Sequence, residues 1–163
     1  MKKKNVITLI LTLTTLLLIQ QNVTAQKNSE SSSYSNAAGM RIEFGSDYGT
    51  FAGISFKHFF TESVAGEMQL LFGNNVVVLE PEIQYHGDIP NAEGLKWYGG
   101  FGAGFSFASG YTTEVLLRPI VGMDYKINQV PLNFSFDWRP AFLLTGRTHF
   151  TPARFGLALR YAF

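Results

Sequence analysis

From Ala37 to Phe163 apolar and polar residues alternate with a period of two, and no stretch of useful length carries a helical period. Successive side chains of an extended chain point to opposite faces, so this pattern predicts strands, each with one greasy and one polar side. The last strand is the clearest: Ala153, Phe155, Leu157, Leu159, Tyr161 and Phe163 point one way, and Arg154, Gly156, Ala158, Arg160 and Ala162 the other. The seventh sets Leu132, Phe134, Phe136, Trp138 and Phe142 against Asn133, Ser135, Asp137 and Arg139. The fifth uses glycine, with Leu95, Trp97, Phe101, Ala103 and Phe105 facing away from Lys96, Gly100, Gly102, Gly104 and Ser106. Val115, Leu117, Val121 and Met123 oppose Glu114, Arg118, Gly122 and Asp124 in the sixth; Val77, Leu79, Ile83 and Tyr85 oppose Glu80, Glu82 and Gln84 in the fourth. The second sets Ala52, Ile54 and Phe56 against Gly53, Ser55 and Lys57. The first (Met40, Ile42, Phe44 against Arg41, Glu43) and third (Met68, Leu70, Phe72 against Glu67, Gln69) complete eight strands. Turn residues separate them at Ser46–Gly49, Thr61–Ser63, Gly73–Asn75, Gly87–Gly94, Ser109-Gly110, Asn128-Gln129 and Thr145–Pro152.

Alternation alone fits two kinds of barrel. In a soluble one the apolar face is the core and the polar face meets water; in a membrane one the faces are exchanged. The residue sizes favour exchange. An eight-stranded barrel is only just wide enough for side chains to fill it, and faces such as Phe134, Phe136, Trp138 and Phe142 would overfill it, whereas lipid sets no volume limit. The polar face carries Arg41, Lys57, Lys96, Arg118, Arg139, Arg154 and Arg160 against Glu43, Glu67, Glu80, Glu82, Glu114, Asp124 and Asp137, seven of each sign. That balance suits pairing in a closed lumen, with glycines leaving room for the long side chains. Within lipid only helices and closed barrels satisfy every backbone group, so the lack of helices demands closure. Strands of about 9–11 residues cross a bilayer when tilted. Phe59, Phe60, Tyr85, Trp97, Tyr125 and Phe163 fall at one set of strand ends and Tyr48, Phe72, Tyr111 and Phe150 near the other, as interfacial girdles do. The predicted fold is therefore all-β: a closed, antiparallel, up-and-down, eight-stranded transmembrane β-barrel over residues 37–163, a monomer in contact with outer-membrane lipid.

The first 25 residues carry an export pattern. Lys2, Lys3 and Lys4 precede an apolar stretch, Val6–Ile19, and Val23-Thr24-Ala25 ends on a small residue before Gln26. Fourteen apolar-rich residues fall short of the roughly 20 that a membrane-crossing helix needs. Gln26–Asn36 is polar and serine-rich, a disordered periplasmic leader by composition. With no cysteine there is neither a disulfide framework nor a thiolate metal site. A net charge of +1 gives no electrostatic footprint for nucleic acid.

At the C-terminus Arg154, Gly156, Leu159, Tyr161 and Phe163 form a polar–x–Gly–x–x–apolar–x–aromatic–x–Phe pattern. It resembles the signal by which barrel assembly machinery recognises outer-membrane proteins. Gly53–Phe60 (GISFKHFF), Trp97–Phe105 (WYGGFGAGF) and Ile127–Phe142 (INQVPLNFSFDWRPAF) resemble small barrels of the OmpX/OmpW-like "outer membrane β-barrel" superfamily. The resemblance spans about Ala37–Phe163. It implies the barrel fold and the outer membrane of a Gram-negative bacterium, and for most members no established activity. Unlike in OmpA-type proteins, no peptidoglycan-binding domain is expected after the barrel. It also lacks long surface loops, Thr145–Pro152 being the longest candidate outer connection.

No catalytic, cofactor or metal site is expected. His58, His86 and His149 do not stand at metal-ligand spacing from one another. His58 and His86 fall at strand ends, where interfacial packing accounts for them. His149 lies near Thr151 in the last outer connection, with no clear acid after it. Glu80 and Glu82 share a strand face as an acid/base pair might, but acceptance from lumen Arg or Lys is the better reading, because an unpartnered buried carboxylate is costly. Gly99–Gly104 (GGFGAG) resembles a phosphate loop only superficially, since its glycines keep strand register and no helix follows. Two functions remain: a non-enzymatic structural or interaction barrel of the cell envelope, favoured by a lumen filled with charge, and transport of a small solute by a narrow pore or lateral route. A soluble ligand-binding barrel of the periplasm is a third.

Overall fold

The computed structural model describes residues 34–146 and 148–163; the export segment and most of the leader lie outside them. The strands are β1 (Asn36–Gly45), β2 (Phe51–Phe59), β3 (Val64–Gly73), β4 (Val76–Asp88), β5 (Leu95–Ala108), β6 (Glu114–Lys126), β7 (Leu132–Trp138), β8 (Ala141–Leu143), β9 (His149–Thr151) and β10 (Arg154–Ala162). Each of β1 to β7 pairs antiparallel with its chain neighbour, and β10 closes the ring between β7 and β1. Closure runs to the last residue, where Asn36 and Phe163 exchange backbone hydrogen bonds of 2.8 Å in both directions.

Ten segments make eight staves. β7 and β8 pair with β6 in one register, Val121↔Trp138 and Leu117↔Phe142, so they form a single stave interrupted at Arg139-Pro140. That register sets Pro140 opposite Pro119, and neither has an N–H to donate. β9 and β10 form the last stave, broken by a bulge. Between Trp138↔Phe155 and Ala141↔Thr151 the chain advances one residue further on the β9–β10 side than on the other. Pro152 and Ala153 both point outward there, and the Trp138 indole donates to the Pro152 carbonyl at 2.6 Å. The expected outer connection Thr145–Pro152 is thus corrected: it contains β9, and the link between β8 and β9 shrinks to Leu144–Thr148.

The turns away from the chain ends are short. At Asn74-Asn75 both residues have positive φ (50° and 59°), as the mirror-image turn of a two-residue hairpin requires. Arg41, Lys57, Asp137 and their kind are buried, while Met40, Ile54, Phe101, Phe136 and Leu157 are exposed. The only cluster of buried apolar side chains among the described residues is Leu116, Ala141 and Leu143. This inversion has the form of a barrel in lipid, where the apolar face needs no protein to cover it. Of the expected girdles, Phe60, Tyr85, Trp97, Tyr125 and Phe163 are exposed at the end bearing the termini, and Phe72, Tyr111 and Phe150 at the other. Two are corrections. Phe59 turns inward onto His86, ring centroids 4.7 Å apart, and Tyr48 lines the opposite mouth.

Candidate functional site

The lumen is where the strand pattern gathers its chemistry. One close arrangement there follows from two glycines. Asp137 on β7 lies opposite Gly122 on β6 and Gly156 on β10. A Cβ at Gly156 would sit 2.1 Å from Arg41 Nη2, and one at Gly122 2.6 Å from Asp137 Cβ. The missing side chains make room for Arg41 to cross from β1 and pair with Asp137 at 2.6 Å. The Tyr98 hydroxyl donates to the same carboxylate at 2.6 Å.

Ion pairs extend from this point in both directions. Toward the termini, Arg160 pairs with Glu67 and donates to Ser55 (2.8 Å), Ser135 (2.9 Å) and Asn133 (3.1 Å). Lys57 lies 2.7 Å from Asp124, which also accepts from Asn133 and from the Tyr34 hydroxyl. Toward the other end, Arg139 pairs with Asp137 and reaches Glu82 (2.7 Å), Glu43 (2.9 Å) and Glu80 (3.1 Å). Arg118 holds Glu43 at 2.7 Å, and Arg154 lies 3.7 Å from it. Among the described residues six cations (Arg41, Lys57, Arg118, Arg139, Arg154, Arg160) and six carboxylates (Glu43, Glu67, Glu80, Glu82, Asp124, Asp137) are buried in this network. Equal numbers leave no net charge to neutralise within the lumen.

Two of the fourteen expected lumen charges sit elsewhere. Glu114 begins β6 and is exposed at the mouth away from the termini. Lys96 is at the opposite rim, paired at 2.8 Å with the exposed Asp88. Their strand faces are those expected, but their depth is not, since alternation specifies a face and says nothing of height in the barrel. Sequence reasoning missed Tyr98, whose place two after Lys96 gives it the same inward parity. It also missed Leu116 and Ile120, apolar residues on the inward face of β6, and it placed His86 at the interface. His86 is instead buried in the lumen, stacked on Tyr98 at 5.0 Å, with Nε2 3.1 Å from Gln84 Oε1. His58 stays at a strand end beside Asn36 and Phe60. Gly99–Gly104 lies within β5.

At the far rim the fold brings an acid to His149 that lies over a hundred residues away. Asp47 Oδ2 is 3.2 Å from His149 Nε2 and accepts from the Thr151 hydroxyl at 3.0 Å. Both groups turn to the carboxylate, so His149 does not stand between hydroxyl and acid as activation of a nucleophile requires. The hydrogen bond from His149, then that from Thr151, hold the Asp47 carboxyl below its ordinary 3.8. A carboxyl with a depressed pKa contributes its contact above the ordinary value and loses it as pH falls through the lowered one. Carbon-detected NMR titration should therefore find Asp47 ionising below the usual range, with His149→Ala moving it back up. Titration at the ordinary value in both proteins would show that the contact does not form.

No protein-family model and no curated sequence matches the chain. Among solved structures, the N-terminal β-barrel domain of Pseudomonas aeruginosa OprF superposes with a TM-score of 0.57 at 14% identity, covering 79% of this chain and 100% of that one. Neisserial surface protein A (NspA) gives a TM-score of 0.49 at 15% identity, covering 83% of this chain and 100% of that one. The likeness to the OprF domain is one of fold: the chain is a small closed β-barrel with an apolar exterior around a charged interior, the arrangement of a barrel in lipid.

Proposed function

We propose that the protein is a non-enzymatic, monomeric barrel of a Gram-negative outer membrane, acting in the cell envelope through its wall and rims while its lumen stays shut. The observation that carries this reading is the paired network of buried charges, which crosses the lumen from Lys57 and Asp124 to Arg118 and Glu43. A through-path for ions would have to break pairs that are costly to separate in a dry interior. Purified barrel in planar bilayers is expected to give no steady conductance. Stable ohmic steps would overturn the occluded reading in favour of transport.

Insertion by barrel assembly machinery is the second part of the proposal. Leu159, Tyr161 and Phe163 stand in a row on the exposed face of the last stave, available to a partner before lipid covers them. Arg154 and Gly156, from the same signal, face the lumen. Changing Tyr161 and Phe163 together to Ser keeps the backbone bonds that close the barrel. The variant is expected to be exported yet to accumulate in the periplasm or be degraded there. Wild-type levels in the outer membrane, measured by fractionation, would remove the assembly role.

A further inference from the structure

The lumen is not charged throughout. At the end away from the termini it opens into a vestibule of about 290 Å³, near the lower end of the roughly 300–1,000 Å³ of small-molecule pockets. Its walls are apolar where most of the interior is charged or polar. Phe51, Leu71, Val78 and Leu116 occupy inward positions where other levels of the barrel hold Arg, Glu or Gln, and Leu71 is only 1% exposed. Arg118 and Arg154, 5% and 1% exposed, line it with Glu43, the Arg154 guanidinium lying 5.5 Å from the Phe51 ring. An apolar cup with buried guanidinium groups in its lining is the form of a site for an amphiphile.

The two arginines have unpartnered donors, although the lumen as a whole is balanced in charge. Both oxygens of Glu43 are occupied, Oε1 by Arg139 at 2.9 Å and Oε2 by Arg118 at 2.7 Å. Arg154 touches that carboxylate only at 3.7 Å, and its Nη1 is spent on the Ser46 and Gly49 carbonyls at 3.4 and 3.1 Å. Arg154 Nε is buried without a hydrogen-bond acceptor, and so is Arg118 Nε, 3.4 Å from Glu80. Glu114, the other acid lining the vestibule, is exposed and pairs with neither arginine. Unpaired buried donors are costly, and a bound anion would satisfy them with charge-assisted hydrogen bonds.

We propose that this vestibule binds a medium-chain fatty carboxylate, its head on Arg154 and Arg118 and its alkyl chain along Phe51, Leu71, Val78 and Leu116. The cup has the volume of roughly ten water molecules at about 30 Å³ each, which suits a chain of medium length better than a two-chain lipid. The site is independent of whether the lumen conducts, since it needs only the mouth and the residues that line it.

The test uses the full barrel in zwitterionic lipid nanodiscs, with methyl-labelled Leu and Val and decanoate as the probe. Saturable one-to-one shifts are expected at Leu71, Val78 and Leu116, and not at the lipid-facing Leu157. Decanol, with the same chain and no charge, should bind at least about tenfold more weakly, the loss of one charge-assisted contact. Arg154→Gln should weaken decanoate binding by a similar factor and leave decanol unchanged. Should that variant fail to fold, Val78→Trp provides the second arm: it fills the cup without touching its charges and should abolish binding of both. Equal affinity for decanoate and decanol, shifts spread over lipid-facing methyls, or binding indifferent to Val78→Trp would each overturn the proposal.

Discussion

Asp137→Ala is expected to cost about 3–5 kcal/mol of barrel stability, the range for removing one partner of a buried pair. Asp137 is 0% exposed and accepts from Arg41, Arg139 and Tyr98, so its loss leaves two guanidinium groups and a hydroxyl short of an acceptor inside the lumen. The destabilisation comes from the stranded cations more than from the vanished attraction, because charge already removed from water cannot regain it. Asp137→Asn keeps an acceptor for Tyr98 and one arginine, and should fall between wild type and alanine. Urea unfolding of the refolded barrel in lipid vesicles measures both. A cost below about 1 kcal/mol for alanine would mean that water reaches Arg41, and the lumen would be wet where the pairing makes it dry.

The second large effect lies one residue away on the other face. Phe136→Arg is expected to cost about 2–4 kcal/mol if its site is near the bilayer midplane, with the cost falling to about 0–1 near an interface. Phe136 is 47% exposed, mid-stave, between Met123 and Leu157; Leu132, on the same face of the same strand, lies at its end. Leu132→Arg should therefore be nearly neutral, and the gradient between the two positions measures depth in lipid. Ser135→Arg controls for size, since it enters a lumen already occupied by Arg160 and its cost reflects crowding and like charge. Single cysteines at 132–138 add a direct readout. Phe134, Phe136 and Trp138 positions should react with a lipid-soluble thiol reagent, and Asn133, Ser135 and Asp137 positions should not. Protection of the first three from both lipid- and water-soluble reagents would mean a dry protein core on that face.

Much of this was legible in the residues, for a physical reason. A strand's side-chain period is fixed at two, so Arg41, Glu43, Asp137 and Arg139 could be assigned to one face, and Phe134 and Phe136 to the other, without knowing any pairing. What a strand does not carry in its own sequence is its height against its neighbours. Glu114 and Lys96 were assigned the lumen and stand at its two rims, because register is set between strands. The bulge at Pro152 and Ala153 was hidden for a related cause. It slips parity by one, so His149–Thr151 read as loop when the neighbouring strand was pairing with it. His86 was missed because a ring near a strand end fits interfacial packing equally well, and Tyr98 because alternation does not say which inward positions have room for a ring. Only the glycine opposite Tyr98, Gly122, marks the space the ring needs, and that glycine becomes informative once the register is known.

The join between β1 and β10 has a consequence for the order of events. Ala37 pairs with Ala162 and Gly45 with Arg154, so the last seam links residues more than a hundred positions apart. Loop closure of that span is slow compared with the hairpins between sequential strands, and no earlier strand offers β1 a substitute partner. Until β10 arrives, the growing sheet has two raw edges whose N–H and C=O groups lipid cannot satisfy. A chain truncated before Arg154 therefore keeps both edges open and is expected to be an aggregation-prone open sheet in place of a closed barrel.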